Sequence, residues 1–244
     1  MKFRLDSHSH TVASGHAYST VLEMAKAAAD RGLELLCVTD HAPGMAHTTC
    51  RDYFMNLRVI DRTLFGIDVM LGAELNLMDT GGALDLDGPA LKELDLAIAS
   101  LHPKCIPPNG DADGYTNAVL RAMENPYVAI IGHPDDGRYP LDYPAVVRAA
   151  GEHGVLLEVN NSSLAPRSFR LDAHVHCAEM LRLCRREGVC VTVGSDAHFT
   201  SAVGGHAYAH ALLRELGFPP ELVINRDPGA FRAMIARRRE RIPH

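Results

Sequence analysis

Seven short apolar runs, at 3–7, 35–39, 69–75, 94–101, 128–132, 155–159 and 190–193, recur along the chain with amphipathic stretches between them. The runs show no polar alternation, so each predicts a strand buried on both faces, as in a parallel sheet. The stretches between them carry helix signals. Ser19 or Thr20 can cap a helix that runs through 25–30 and ends at Gly32, and Arg51 to Phe65 reads as a helix closed by Gly66. Asp111 to Glu124 is stopped by Asn125-Pro126, and Asp142 caps a helix to His153 with Gly154 as its stop. Further helices are expected at 172–187, 207–216 and 228–239, with an irregular stretch, read as a hairpin, at 79–89. Seven strand–helix units in 244 residues predict the α/β class and a TIM-like (β/α) barrel, one unit short of the usual eight, as a single domain spanning 1–244. The basic tail, Arg237-Arg238-Arg239-Glu240-Arg241, reads as a solvated helix end whose cations complement the dipole.

Composition narrows the function. Hydrophobic residues make up 47% of the chain, enough for a large core, but Trp is absent and aromatics are 6%, so Leu, Val, Ala, Ile and Met must build it. A net charge of −6 disfavours long nucleic acid as a partner, while leaving room for an anionic substrate held locally by metal. No run of about 18 apolar residues predicts a membrane span, and the N-terminus lacks the apolar core of a signal peptide. The six Cys form no CxxC pair and several sit inside apolar runs, which reads as buried thiols of a cytoplasmic protein without a disulfide framework.

The residues at the end of each run carry the chemistry. The first run ends in His8 and His10, two apart and so on one face of a strand, with His16 just beyond. The second ends in Asp40-His41, the third holds Glu74, the fourth ends in His102, the fifth in His133 and the seventh in Asp196 and His198. The sixth contributes only amides and hydroxyls. Barrel enzymes of this type build their active sites at the C-terminal ends of the strands. One strand-end His is ordinarily a satisfied polar residue; five strands ending this way are not explained so. His8, His10, His16, His41, Glu74, His102, His133, Asp196 and His198 are too many ligands for one ion and suffice for three sites of three, with Glu74 able to bridge. Imidazole and carboxylate without thiolate suit zinc, manganese or iron, and three-ligand sites keep a position open for water. Asp6 and Asp40 stand beside ligands as acceptors that could orient imidazoles. The second HxH, His174-Val175-His176, falls on a helix, where residues two apart face different ways. His206 and His210 have the spacing of a zinc-protease helix, but Ala207 stands where that motif needs its Glu.

Taken together, the HxH, Asp-His, Glu, His, His and Ser-Asp-x-His strand ends resemble the PHP (polymerase and histidinol phosphatase) family over essentially the whole chain. The resemblance is greatest to the YcdX-like branch of small stand-alone phosphatases. Flanking residues agree: Thr11-Val12-Ala13-Ser14, His16-Ala17-Tyr18-Ser19, Glu158-Val159-Asn160-Asn161-Ser162-Ser163 and Phe218-Pro219-Pro220-Glu221. The resemblance implies a distorted (β/α)7 barrel, a homotrimer, and three divalent ions at a trinuclear zinc-type centre. It places one ion on His8, His10, Glu74 and Asp196, a second on Glu74, His102 and His133, and a third on His16, His41 and His198. Lys104 and Asp135-Asp136-Gly137 depart from the branch beside the ligands, at the expected mouth, where they bear on substrate identity.

The expected activity is phosphomonoester hydrolysis of a small phosphorylated substrate by a metal-activated hydroxide, with Glu74 and Asp196 as the catalytic carboxylates. Lys104, Arg138, Arg167 and Arg170 are the candidate substrate contacts, with plain surface charge as the competing reading for each. Three alternatives compete: a phosphodiesterase or nuclease, an amidohydrolase-type hydrolase, and a metal-binding regulatory module without turnover. Glu on the third strand and the Ser-Asp-x-His ending speak against the amidohydrolase.

Overall fold

The computed structural model describes residues 1–242, two short of the expected domain boundary. The strands are β1 (Leu5–Asp6), β2 (Leu35–His41), β3 (Thr63–Leu64), β4 (Ile67–Asn76), β5 (Ala97–Ser100), β6 (Val128–Ile131), β7 (Leu156–Asn160) and β8 (Val191–Gly194). The helices are α1 (Val21–Asp30), α2 (Arg51–Met55), α3 (Gly88–Glu93), α4 (Ala112–Glu124), α5 (Tyr143–His153), α6 (Ala173–Glu187), α7 (Ala207–Glu215) and α8 (Pro228–Arg239). Seven strands run parallel in the order β1-β2-β4-β5-β6-β7-β8, and β3 hangs antiparallel on β4. The two ends of the sheet meet just beyond β1 and β8: His10 N donates to Ala197 O (2.8 Å) and Asp196 N to His8 O (2.9 Å). The sheet thus nearly closes into the expected distorted (β/α)7 barrel.

Alternation along each strand separates two buried layers. Leu36, Val38, Val69, Leu71, Ala97 and Ala99 pack outward under the helices, while Leu35, Cys37, Met70, Ile98, Ile130 and Leu156 face one another inside the barrel. Phe231 and Ile235 of α8 join that inner cluster and close the N-terminal end of the barrel. Both faces of every central strand are therefore apolar over the lower half. That is why the runs lack polar alternation.

Below the point of contact, Asn225 bridges the seam between β1 and β8, beside Ser7, whose hydroxyl donates to Val193 O (3.0 Å). Asn225 is 0% exposed; its Nδ2 donates to Leu5 O (3.1 Å) and Val193 O (2.7 Å), and its Oδ1 accepts from Val193 N (2.6 Å). It supplies the bonds that the two-residue β1 is too short to make.

Several expected elements differ. The helix expected from Arg51 to Phe65 ends at Met55, and Thr63–Leu64 turns back on Ile67 through Phe65 (φ 52°) and Gly66 (φ 80°). Two successive left-handed residues make the tight turn of a hairpin, so Gly66 is a turn residue and not a helix stop. α3 begins inside the stretch read as irregular, 79–89, and ends just before the fourth run; Asp87 caps it and Pro89 sits in its first turn, a signal the sequence carried. Arg238, expected to be solvated, is 3% exposed and donates to Val128 O, His153 O, Met123 O and Asn125 O. It neutralises carbonyls where α4 and α5 end. All six thiols are free, but only Cys37, Cys177 and Cys184 are fully buried, and Cys50 is exposed. Among the described residues no helix is long and apolar enough to cross a membrane.

Replacing Asn225 with Ala removes three buried hydrogen bonds to the backbone at the seam and leaves Val193 N without its side-chain acceptor, while Ser7 Oγ still reaches Val193 O. The variant should lose about 3 kcal/mol of stability, a drop in Tm of roughly 6–12 °C for a domain of this size, read by thermal unfolding.

Candidate metal centre

The inner face that is apolar at the bottom of the barrel turns polar at the top. Along β4 the face of Met70 continues with Gly72, Glu74 and Asn76; along β7 the face of Leu156 continues with Glu158 and Asn160. Strand register sets His41 beside Glu74. His133 (φ 29°) and Asp196 (φ 55°) take left-handed backbone where the chain leaves β6 and β8, a strain of the kind that gathers at functional sites. Gly194 is required here, since a Cβ would stand 2.0 Å from Glu158 Oε1.

The structure gathers all nine expected side chains. Glu74, 1% exposed, is the centre: its Oε2 lies 3.5 Å from both His8 Nε2 and His10 Nε2 and 2.8 Å from His41 Nδ1, and its Oε1 lies 2.8 Å from His133 Nε2 and 3.3 Å from His102 Nε2. Asp196 Oδ1 sits 3.3 Å from His10 Nε2 and 3.6 Å from His198 Nδ1. His16, exposed at the rim, places Nε2 3.1 Å from His198 Nε2. Ligand atoms fall within 4.8 Å of one another in three groups: His8, His10 and Glu74; His41, Glu74 and His102; His10, His41 and His198. The first group follows the division that the resemblance implies. In the other two, His41 stands between Glu74 and the rim imidazoles.

Outer partners aim the rings. Glu158 Oε1 accepts from His8 Nδ1 (2.8 Å), and its Oε2 accepts from His133 N (2.7 Å). Asn76 Oδ1 accepts from His102 Nδ1 (2.8 Å), and the Asp196 carbonyl from His198 Nδ1 (2.9 Å). Ser14 lies 3.1 Å from His10 Nδ1 and donates its own hydroxyl to Asp40 Oδ1 (2.7 Å). With Nδ1 tied outward, four rings turn Nε2 inward, the nitrogen that is free to serve as a ligand. Asp40 therefore acts on His10 through Ser14, and it also accepts from Thr11 and Tyr53. Asp6 orients no ligand imidazole; it accepts from Ser195 N and Gly204 N and faces His206. In the sequence Glu158 and Ser14 stand out only as flanking residues and Asn76 not at all, and none of the three carries a role there. Glu158 also corrects the expectation that the sixth parallel strand supplies only amides and hydroxyls. Its signal was its place two residues before Asn160 in a strand whose other positions are apolar.

These features fit a cation. The Nε2 atoms of His8 and His10 approach to 3.0 Å. Two imidazole nitrogens at that distance need a positive charge between them, a proton or a metal ion, and the carboxylates of Glu158, Glu74 and Asp196 favour positive charge at His8 against the cost of its burial. Buried His41 Nδ1 and Glu74 Oε2 have no hydrogen-bond partner despite their 2.8 Å separation, an expensive arrangement for two buried polar atoms. Burial pushes the Glu74 and Asp196 carboxyls up, but surrounding imidazoles outweigh it and hold both well below the usual carboxylate range. Burial, then the neighbouring imidazoles of His41 and His198, hold His10 well below the usual imidazole range. Ionised carboxylates and neutral imidazole are the forms that bind divalent metal.

Above the centre opens a cleft of about 630 Å³, lined by His16, His41, Met45, His102, Lys104, Phe169, Arg170, Asp196, His198 and Phe199 among others. Of the expected substrate contacts, Lys104 and Arg170 line it. Arg170 is buried and donates to Asp196 Oδ2 (3.1 Å), Asn160 Oδ1 (3.1 Å) and Ser163 Oγ (2.9 Å). Arg138 and Arg167 do not line it; Arg138 pairs with Asp136, and Arg167 is exposed. Asp135 and Asp136, expected at the mouth, are buried beneath it. Burial pushes the Asp135 carboxyl up to about 7, against the Arg170 charge and the Ser163 hydroxyl that it accepts (3.0 Å). Both decoys stand apart from the centre: His174 is exposed on α6, and His206 packs on Phe3.

The PHP domain model matches residues 6–215. A probable phosphatase of Acetivibrio thermocellus is 43% identical over 242 residues, covering 99% of both chains, and one of Clostridium novyi is 43% identical over 227 residues, covering 93% of this chain and 92% of that one. Among solved structures, the fold matches the histidinol phosphate phosphatase of Lactococcus lactis, solved in complex with zinc, L-histidinol and phosphate (TM-score 0.59, 19% identity, 88% and 94% of the two chains). It also matches a chain of an archaeal ribonuclease P with mature tRNA (TM-score 0.60, 16% identity, 97% and 92%). The chain belongs to the PHP domain family. Within that family it is, like its full-length relatives, a phosphatase.

Glu158 anchors two of the gathered imidazole residues, one by its ring and one by its backbone. Glu158→Gln keeps the shape but weakens both bonds, and metal affinity should fall roughly 10–100-fold, measured by calorimetric titration of the metal-free protein.

Proposed function

We propose that the protein hydrolyses small phosphomonoesters at a centre of three divalent ions, zinc first among them with manganese or iron as substitutes. Glu74 carries the reading: a buried carboxylate ringed by five imidazoles, with one oxygen left unbonded. In this reading His8, His10, His16, His41, Glu74, His102, His133, Asp196 and His198 hold the ions. Bound there, divalent metal supplies positive charge for the phosphate oxygens and lowers the pKa of a water to about 7.

The chain's own groups do the rest. Glu74 and Asp196 offset the cationic charge and fix where the phosphate oxygens can lie. Asp196, steadied on Oδ2 by Arg170 and Asn160 (3.2 Å), keeps Oδ1 turned to the site for proton transfer. Water oxygen bonds to phosphorus as the P–O ester bond breaks, and the departing alkoxide takes a proton, leaving an alcohol and inorganic phosphate. Lys104 at the rim and Arg170 inside it supply cationic contacts to the substrate. Arg138 and Arg167 are dropped from that role.

Residues 1–244 work in this proposal as one hydrolase domain in the cytoplasm, assembled as a homotrimer. The relatives named as phosphatases and the fold neighbour solved with zinc and phosphate support the reading.

Chelation should abolish turnover of a chromogenic phosphomonoester, and added zinc or manganese should restore it. His10→Asn should lower kcat/KM at least about 1,000-fold and reduce the metal found by elemental analysis. Full turnover by His10→Asn would refute the scheme.

A further inference from the structure

The stretch between β4 and α3 contributes nothing to the cleft lining, and the hydrolytic scheme gives it no part. It folds back on itself. Leu77 bridges Leu84 antiparallel, Met78 N donates to Ala83 O (2.9 Å), and Asp79 Oδ1 accepts from Gly81 N (2.9 Å) and Ala83 N (3.1 Å). The fold-back returns the half-buried Asp85 to the end of β4. There its Oδ1 accepts from Asn76 N (2.9 Å), and its Oδ2 accepts from Asn76 Nδ2 (2.6 Å) and Gly44 N (2.7 Å). One carboxylate takes three donors, and none of them belongs to a gathered imidazole.

These bonds decide the direction of a buried amide. Asn76 is 0% exposed and stands between Asp85 and His102. A carboxylate oxygen only accepts, so Asn76 must turn its Nδ2 toward Asp85. The same Nδ2 donates to Ala42 O (3.1 Å), a second acceptor. Both amide protons are then used, and Oδ1 is left facing His102 Nδ1 at 2.8 Å. An amide oxygen cannot donate, so His102 must carry its proton on Nδ1. In the neutral ring, Nε2 then carries none, 3.3 Å from Glu74 Oε1. The opposite turn of the amide would set its oxygen against the Asp85 carboxylate and the Ala42 carbonyl.

We propose that Asp85 is a positioning residue of the metal centre: it fixes the Asn76 amide and, through that amide, the His102 tautomer that presents Nε2 to a divalent ion. The inference deepens the metal-centre reading above and rests on it. Partners behind a ligand change metal affinity without touching the metal. Asp85 also holds Gly44, in the loop that brings Met45 to the cleft. A brace of that loop alone would leave the His102 proton where it is and would not act through Asn76.

The test follows the proton and the metal separately. In the metal-free, full-length protein, long-range 1H–15N NMR of the imidazoles reads the tautomer, with the His102 signal assigned from its loss in His102→Gln. The unsubstituted protein should show Nδ1–H at His102, and Asp85→Asn should bring in the Nε2–H form. In the zinc-loaded protein, chelator competition should show the affinity for at least one ion falling roughly tenfold in Asp85→Asn. Made on top of Asn76→Ala, the same substitution should change that affinity by less than about twofold, because the amide it acts through is gone. The Nε2–H form at His102 in the unsubstituted protein, a result that needs no variant, overturns the inference. So does an unchanged tautomer in Asp85→Asn, or an equal loss of affinity with and without Asn76. Failure of the unsubstituted protein to hold zinc overturns instead the metal-centre reading on which it rests.

Discussion

A carboxylate buried at the centre of five imidazoles is the constraint on which the upper half of this barrel depends. Glu74 is almost wholly removed from water, and an isolated ionised carboxyl there would be far too costly. Neutral imidazoles alone do not solve the problem, because several turn ring nitrogens toward it and toward one another. The arrangement is satisfied by positive charge at the centre, which makes cation binding part of the reason the side chains can be packed so closely. It also explains the surrounding ring of Glu158, Asn76, Ser14 and Asp40. Each fixes a protonation state or an orientation that the centre cannot fix by itself.

The barrel delivers that arrangement through period-two alternation. A strand that places Met70 or Leu156 among the apolar side chains at the bottom must place Glu74 or Glu158 on the same face farther up. One geometric rule thus makes an apolar plug and a polar crown. Closure between β1 and β8 then brings His8 and His10 against Asp196, although nearly the whole chain separates them in sequence. Asn225 at that seam bonds with the short β1 and β8, so the N-terminal arm of the centre is braced from outside the site.

Much of this is legible in the sequence, and the exceptions share a cause. The seven parallel strands, most of the helices and the candidate ligand positions can be read because they rest on local signals: apolar runs, caps and the residue after each run. Arg51 to Phe65 reads wrongly as one helix because helical propensity over 56–65 loses to pairing of Thr63–Leu64 with β4, a contact no local pattern reports. Arg238 reads wrongly as solvated because a basic helix end looks the same whether it meets solvent or the carbonyls of two other helices. Glu158 hides in an apolar run for a similar reason, since its partner His8 lies 150 residues away.

By itself, then, the order of residues determined which side chains stand at the strand ends, because strand length and alternation are local properties of the backbone. It also carried the family resemblance, through the motifs at those strand ends. Only the tertiary structure decided how the donors share one centre, with His41 between the two groups, and which arginines meet the cleft. It also decided that Asp85 reaches the amide of Asn76 and, through it, the ring of His102. Those outcomes depend on distances between residues remote in sequence, and such distances exist only once the barrel has closed.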